Sequence, residues 1–292
     1  MHLLKVYAKG TRRGALRRFA RWAVEPSLRF DVVRHVVRSE RWAGAPLRIV
    51  VISDLHAQVP VMGLERVARI VARANALGAD IMLLPGDVSF GLKRMPRRPH
   101  PEEVVQVLAR LEAPLGRYAV LGNHDWREDY AALRDQPHLP RIGRALEAAG
   151  IPVLENRAVR IERAGGAFWL AGMGTERIFG EGRLDPGTAD LDATLAAIRG
   201  DDPAILMMHE PDPFPQVPER IALSVCGHTH GGQLTAFGRA LVVPSRHGTR
   251  YAYGHIREGG RDLVVSGGLG CSTIPLRLGR MPEITVVELS SA

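Results

Sequence analysis

Five short groups of aspartate, histidine and asparagine are spread along the chain, each just after an apolar run. Asp54 and His56 stand in SDLH, Asp87 in PGD, and Asn123, His124 and Asp125 in LGNHD. His209 stands in MMHE, and His228 and His230 in CGHTHGGQ. Carboxylate oxygen and imidazole nitrogen suit manganese, iron and zinc, and no thiolate is needed. One carboxylate can bridge two such ions about 3.5–4 Å apart, and the pair can deprotonate water and clamp both oxygens of an in-line displacement at phosphorus. Each residue also has a plainer reading. Asp54, Asp87 and His124 could cap turns or fill polar core sites, His209 could be a satisfied histidine after a strand, and Asp125 could cap a helix. The joint presence of all five groups favours the metal reading.

The elements that must position these groups alternate early and turn β-rich late. LRIVVIS (47–53), ADIMLL (79–84), RYAVL (117–121), AILMMH (204–209) and IALSVCG (221–227) are apolar runs fit for buried strands. Helical periodicity marks 61–77, 101–111 after Pro101, 140–149 and 188–199. Further strands are expected at 151–154, 158–163, 167–172, 241–243, 261–266 and 283–289, with loops at 91–100 and 173–187. This order predicts two packed sheets with helices outside. Ligands in α/β sheets gather beyond the carboxyl ends of strands, which is where the five groups fall. An extended backbone would put Asp54 and His56 on one side, and likewise His228 and His230, because strand side chains alternate. Glycines before Asp87, Asn123 and His228 are expected to permit tight turns.

Charge and composition narrow the class. The 292 residues are 46% apolar and 24% charged, enough for a sizeable core. The net charge of +8 is confined to residues 1–41, which hold eleven basic and three acidic groups. The remainder, with 28 of each sign, is neutral. A duplex nucleic-acid enzyme should instead carry basic surface around its site, and 5% aromatic residues leave few platforms for stacking single strands. Residues 11–24 alternate apolar and arginine faces at helical spacing, so 1–45 is read as a basic N-terminal segment with a helix for an anionic membrane surface. The rival reading is a helix packed on the body with solvated arginines. No run reaches the ~18 apolar residues of a membrane span, and Cys226 and Cys271 lack metal or redox spacing. A cytoplasmic protein, peripheral on the inner membrane face, is the expectation.

The ordered set DLH, GD, GNHD, H and GHTH resembles the calcineurin-like metallophosphoesterase superfamily, over roughly residues 47–289. HEPD (209–212), GHTHGGQ (227–233) and GLGCSTIPLRLGRMPEI (268–284) resemble its bacterial branch of membrane-associated phosphodiesterases and a UDP-2,3-diacylglucosamine pyrophosphatase. The resemblance implies a four-layer α/β/β/α sandwich of two mixed sheets, filling 46–292. It implies two divalent ions (manganese, iron or zinc), one held by Asp54, His56, Asp87 and His230. The other falls to Asp87, Asn123, His209 and His228, with Asp87 shared. His124 would face the substrate and Asp125 would hold its ring. The implied activity is hydrolysis of a phosphodiester or pyrophosphate bond, with a lipid-linked substrate such as UDP-2,3-diacylglucosamine. A nuclease or cyclic-nucleotide phosphodiesterase is the alternative, and a non-catalytic metal-binding scaffold the alternative of another class. Where many relatives carry an acidic residue soon after GD, this chain has Lys93, Arg94, Arg97 and Arg98. They are expected either to grip a second phosphate or an anionic head group, or to form a solvated loop.

Overall fold

A computed structural model describes residues 28–59, 61–89, 99–134, 138–180 and 183–292. The basic pattern at 11–24 and the loop residues Lys93, Arg94, Arg97 and Arg98 lie outside them.

Two mixed sheets stack face to face. The first has the order β1-β15-β2-β3-β4, built from Asp31–Ser39, Glu283–Ser291, Leu47–Val51, Ile81–Pro85 and Arg117–Val120. Neighbours in it are parallel except β15 and β2. The second has the order β13-β14-β10-β9-β6-β5, built from Gly254–Glu258, Arg261–Val265, Ile221–Cys226, Ala204–Met207, Gly166–Gly172 and Arg157–Arg163. Its four inner strands are parallel and its edge pairs antiparallel. Small hairpins join β7 (Arg177–Gly180) to β8 (Arg183–Pro186), and β11 (Thr235–Ala236) to β12 (Arg239–Ala240).

The layers follow from which faces are apolar. Between the sheets lie Ile49, Val51, Leu83 and Val287 of the first, against Leu170, Ile205, Met207, Leu223 and Val264 of the second. The outer face of the first sheet, with Val50, Met82 and Val286, is covered by helices α1 (Leu64–Asn75), α2 (Pro101–Leu108) and α5 (Arg141–Ala148). Short helices α3 (Asn123–Glu128) and α4 (Tyr130–Arg134) precede α5. Helix α6 (Leu191–Ala196) and the turn around Phe214 cover the outer face of the second sheet. The result is an α/β/β/α sandwich. Residues with two buried faces explain why the central strands read as predominantly apolar runs.

Four local expectations are corrected. IPVL (151–154) makes only a single bridge, Val153 to Ala119, because Pro152 has no N–H to continue a ladder. The run 241–243 is not a strand, and Leu241 and Val242 are exposed. The stretch 173–187 is not all loop, since it contains β7 and β8. Residues 31–39, in the segment read as N-terminal extension, form β1, which pairs along its whole length with β15. No helix among the described residues is long and apolar enough to cross a membrane. Both cysteines are free and buried.

Candidate metal centre

Loops following β2, β3, β4, β9 and β10 meet at one end of the sandwich, and backbone hydrogen bonds lace them together. Asp54 N donates to Gly86 O at 3.1 Å, His56 N to Asp87 O at 2.9 Å, and Gly227 N to His209 O at 3.1 Å. Asp54 and His56 do not lie on an alternating strand, nor do His228 and His230. β2 ends at Val51 and β10 at Cys226, and all four residues have left-handed backbone, with φ of 52°, 43°, 68° and 54°. Asp87, with φ 54°, makes a fifth. Each such residue costs about 1 kcal/mol or more and persists only where its surroundings force it. Here the strain turns each side chain from the strand direction into a shared space.

Glycines make that space possible, for two different reasons. Gly86 has φ 91° and serves a turn. Gly122 and Gly227 are not left-handed; they are needed for close approach. A Cβ on Gly122 would run into the carboxylate of Asp87, and one on Gly227 into the side chains of Ser53 and Asp54. The expectation of turns at all three glycines is thus corrected at two of them.

The structure brings seven donors together. Ligand atoms of Asp54, His56 and His230 lie within 4.8 Å of one another, and so do those of Asp87, His209 and His228. The Asp87 Oδ2 atom joins the two groups, 3.5 Å from His56 Nε2 and 3.3 Å from His209 Nε2. His56 Nε2 and His230 Nε2 are 2.9 Å apart. His209 Nε2 stands 3.1 Å from both Asn123 Oδ1 and His228 Nδ1. The far-side nitrogens of His209, His228 and His230 are held as well. His209 Nδ1 meets Pro85 O at 2.7 Å, which suits an N–H donor there and leaves Nε2 as a lone pair facing the cluster. His228 Nε2 meets Pro244 O at 3.0 Å in the same sense. His230 Nδ1 instead faces a nitrogen of the fully buried Arg277 at 2.9 Å. Arg277 also donates to the carbonyls of Gly267 and Gly270, each at 2.7 Å. No spacing rule in the sequence marks Arg277 as part of the site.

His124 follows Asn123 on α3. Its backbone N donates to Asp87 Oδ1 at 2.9 Å, and its ring meets the His56 ring edge-on with centroids 5.1 Å apart. The carboxylate of Asp125 accepts the backbone N–H of Asp87 (2.8 Å), Ser89 (2.9 Å) and Gly122 (3.0 Å). It thereby pins the β3 and β4 loops to each other, which extends the capping role. Asp54, His56, Asp87, His209 and His230 are buried, whereas Asn123, His124 and His228 are partly open to solvent. The centre is therefore open to solvent on the Asn123–His124–His228 side.

Charge in the centre is unbalanced without cations. Burial pushes Asp54 up to about 6, with Asp87 adding to the rise. Burial also acts on Asp87, but His209 and His124 outweigh it and hold this carboxyl well below its usual range. Burial lowers His56 and His230 well below the ordinary imidazole value. His209 goes the other way: burial opposes its charge, but Asp87 raises it well above normal. A proton on His209 thus stands in for a cation beside Asp87. Converging nitrogen lone pairs, two buried carboxylates and strained ligand backbones fit a pair of divalent ions. Glu210, Asp212, Thr229 and Gln233 shape the walls: Glu210 binds Thr175 and Glu176 N, and Asp212 binds Ser245 and Arg246 N. Thr229 holds Ala252 O, and Gln233 holds the 272–276 segment.

Residues 47–232, more than half of the chain, match the family model described as calcineurin-like phosphoesterase. The chain is 27% identical to the metallophosphoesterase YkuE of Bacillus subtilis (strain 168), over 84% of this chain and 79% of that one. It is 31% identical to the phosphodiesterase YaeI of Escherichia coli (strain K12), over 89% of this chain and 88% of that one. Among solved structures it is similar to the NAD nucleotidase NadN of Haemophilus influenzae, with a TM-score of 0.47 at 15% identity, covering 77% of this chain and 46% of that one. By its family match and its two donor clusters, this chain belongs to the calcineurin-like phosphoesterases and is a metal-dependent phosphoester hydrolase.

Proposed function

We propose that the chain cleaves a phosphodiester or pyrophosphate bond in a lipid-linked substrate, of which UDP-2,3-diacylglucosamine is the sharpest candidate, at the cytoplasmic face of a membrane. The observation that carries the hydrolase reading is the position of Asp87 Oδ2 between two donor clusters, 3.5 Å from His56 Nε2 and 3.3 Å from His209 Nε2. In this reading Asp54, His56, Asp87 and His230 hold one ion, and Asp87, Asn123, His209 and His228 the other. Manganese, iron and zinc all suit these donors, and availability helps decide among them. Bound there, the ions supply an activated water and neutralise charge on the phosphoryl oxygens.

The residues of the chain do the rest. Asn123, His124 and His228 line the open side, so the phosphoryl group enters beside the His124 ring. His124 protonates the leaving oxygen or stabilises charge on the equatorial oxygens. Asp125 keeps the GNHD turn against the Asp87 loop through its three backbone bonds. That fixes the distance between His124 and the shared carboxylate. Support for the lipid-linked substrate comes from the branch motifs, from the phosphodiesterase name of YaeI, and from the basic residues 1–41. Lys93, Arg94, Arg97 and Arg98 would grip a second phosphate or an anionic head group.

Turnover of UDP-2,3-diacylglucosamine, nucleotide diesters, cyclic nucleotides and monoesters, with and without vesicles, tests the reading, with metal content measured by elemental analysis. Preference for the lipid-linked pyrophosphate supports it. Preference for nucleic acid or cyclic nucleotides replaces it with the alternative hydrolase. No turnover of bis-p-nitrophenyl phosphate with added manganese would leave a scaffold. Asp87→Ala is expected to lose activity and both ions together. Replacing all four loop residues by alanine should raise KM for the best substrate; an unchanged KM removes the loop from the site.

A further inference from the structure

The hairpin β11–β12 is built against its own turn chemistry. Its two central residues, Phe237 and Gly238, have φ of 51° and 76°. Two positive φ values in a two-residue hairpin define a type I′ turn, whose first position favours Asn, Asp or Gly. A bulky aromatic there is a steric outlier. Nor does the ring find compensation by packing: Phe237 is 105% exposed. Leu241 and Val242, which follow the hairpin, are 61% and 76% exposed, and Ile274, on the neighbouring segment, is 39% exposed. The two segments are tied together. Leu234 bridges Leu278, and Gln233 Nε2 donates to the carbonyls of Ser272, Ile274 and Leu276.

We propose that this hairpin is a docking wedge that seats the chain on an anionic lipid surface, with Phe237, Leu241 and Val242 entering the apolar boundary. The proposal deepens the lipid-linked reading above and rests on it for its purpose, though not for its geometry. Charge favours an anionic partner. Residues 220–257 hold five arginines and no acidic residue, and 263–282 hold Arg277 and Arg280 and again no acidic residue. Arg246, Arg250 and Arg257 pair with Glu176, Glu258 and Glu40, but Arg239 sits in the hairpin itself, opposite Ala236 and exposed. Apolar tips flanked by basic side chains are the composition that interfacial anchoring uses. Residues 1–41 add a balance of eight positive charges in the same sense.

Two other occupants fit less well. Nucleic acid is bound by aromatic platforms, and Leu241, Val242 and Ile274 are aliphatic. A second copy of the chain would need an interface of about 1,200–2,000 Å² for a stable dimer, more than a hairpin and one neighbouring side chain supply. The hairpin also stands where docking would serve catalysis. Gly232, two residues after His230, lets Ala240 pack on the ligand loop, and Pro244 O accepts from His228 Nε2 at 3.0 Å. Both ends of the wedge are thus fixed to the loop that carries two of the histidines, so seating the hairpin holds that loop near the bilayer.

The test uses the full chain with vesicles of phosphatidylglycerol and phosphatidylcholine, at low and at high salt. Phe237→Trp, with the wild-type spectrum subtracted, should show a blue-shifted emission that lipids brominated on their acyl chains quench. The triple variant Phe237→Ser, Leu241→Ser, Val242→Ser should keep its melting temperature, because these side chains are exposed, and bind vesicles about tenfold more weakly or worse. High salt screens purely electrostatic attachment, so the difference between wild type and triple variant should persist there. Unquenched difference emission from vesicle-bound Phe237→Trp protein, or undiminished binding by the triple variant, overturns the wedge and places attachment elsewhere. An emission shift in the Phe237→Trp variant that follows protein concentration without vesicles, or that single-stranded DNA causes, overturns it in favour of a second copy or nucleic acid. Turnover of bis-p-nitrophenyl phosphate by the wild type is measured alongside. Its absence would sink the hydrolase reading while leaving the docking result standing.

Discussion

Replacing Gly122 by alanine asks whether the shared carboxylate must stand where it does. Gly122 has φ −92° and ψ 173°, extended backbone that alanine adopts freely, so the substitution brings no conformational penalty of its own. The whole effect is steric. The new Cβ would lie 2.6 Å from Asp87 N and 2.7 Å from Asp87 Cγ, and nearer still to Oδ1. Ordinary carbon contacts are about 3.5–4.0 Å, so the carboxyl group must retreat by roughly 1 Å. The Asp87 backbone cannot easily follow, because its N–H is bonded to Asp125 Oδ2 at 2.8 Å. Overpacking of this kind costs about 1–3 kcal/mol. A shift of that size carries Oδ2 away from His56 Nε2 and His209 Nε2. The expected loss of metal affinity is at least the roughly 10–100-fold seen when supporting groups around a metal are removed. Elemental analysis after dialysis against a metal buffer, with melting curves in the presence and absence of manganese, measures it. Gly200→Ala is the control: its φ is 70° and nothing lies within 4 Å, so it brings strain alone, far from the centre. If Gly122→Ala still held two ions per chain with wild-type affinity, the carboxylate would not need its glycine and the close-approach reasoning would fail.

Three further outcomes are expected. His124→Ala should lose about 10²–10⁴-fold in kcat while keeping both ions, and loss of the ions would refute its substrate-facing role. Burial pushes the Glu155 carboxyl from its ordinary 4.5 up to about 7. The folded chain therefore holds that proton more tightly than the unfolded chain, and stability falls as pH rises from about 4.5 through 7. Glu155→Gln should flatten this part of the denaturant-midpoint profile, between about pH 5 and 8, and an identical slope in both proteins would contradict it. Arg277→Lys should lower the melting temperature by roughly 5–10 °C, because one ammonium cannot reach two carbonyls and His230 Nδ1 together. An unchanged calorimetric transition would show that the guanidinium fork is dispensable.

The sequence alone determined much of this protein, and for a local reason. Buried central strands are predominantly apolar runs, interrupted only by Arg48 and Ser224, so 47–51, 81–85, 204–207 and 221–226 were legible without partners. The five polar groups could be assigned to strand ends because chain direction and strand length are one-dimensional facts. What only tertiary structure decided involves residues that meet across the fold. β1 carries exposed and half-buried positions along Asp31–Val36, and only pairing with β15 makes it a strand. The left-handed backbone at Asp54, His56, Asp87, His228 and His230 is imposed by loops lacing to one another, against the preference of each residue. Gly122 and Gly227 looked like turn residues, yet their need is set by carboxylates on other loops, Asp87 and Asp54. Arg277 bonds Gly267 and Gly270 close by in the chain, but its role in the site comes from His230, 47 positions away. Local pattern records what a residue is beside in the chain. Steric exclusion and hydrogen-bond partnership between distant segments exist only once the sheets have packed.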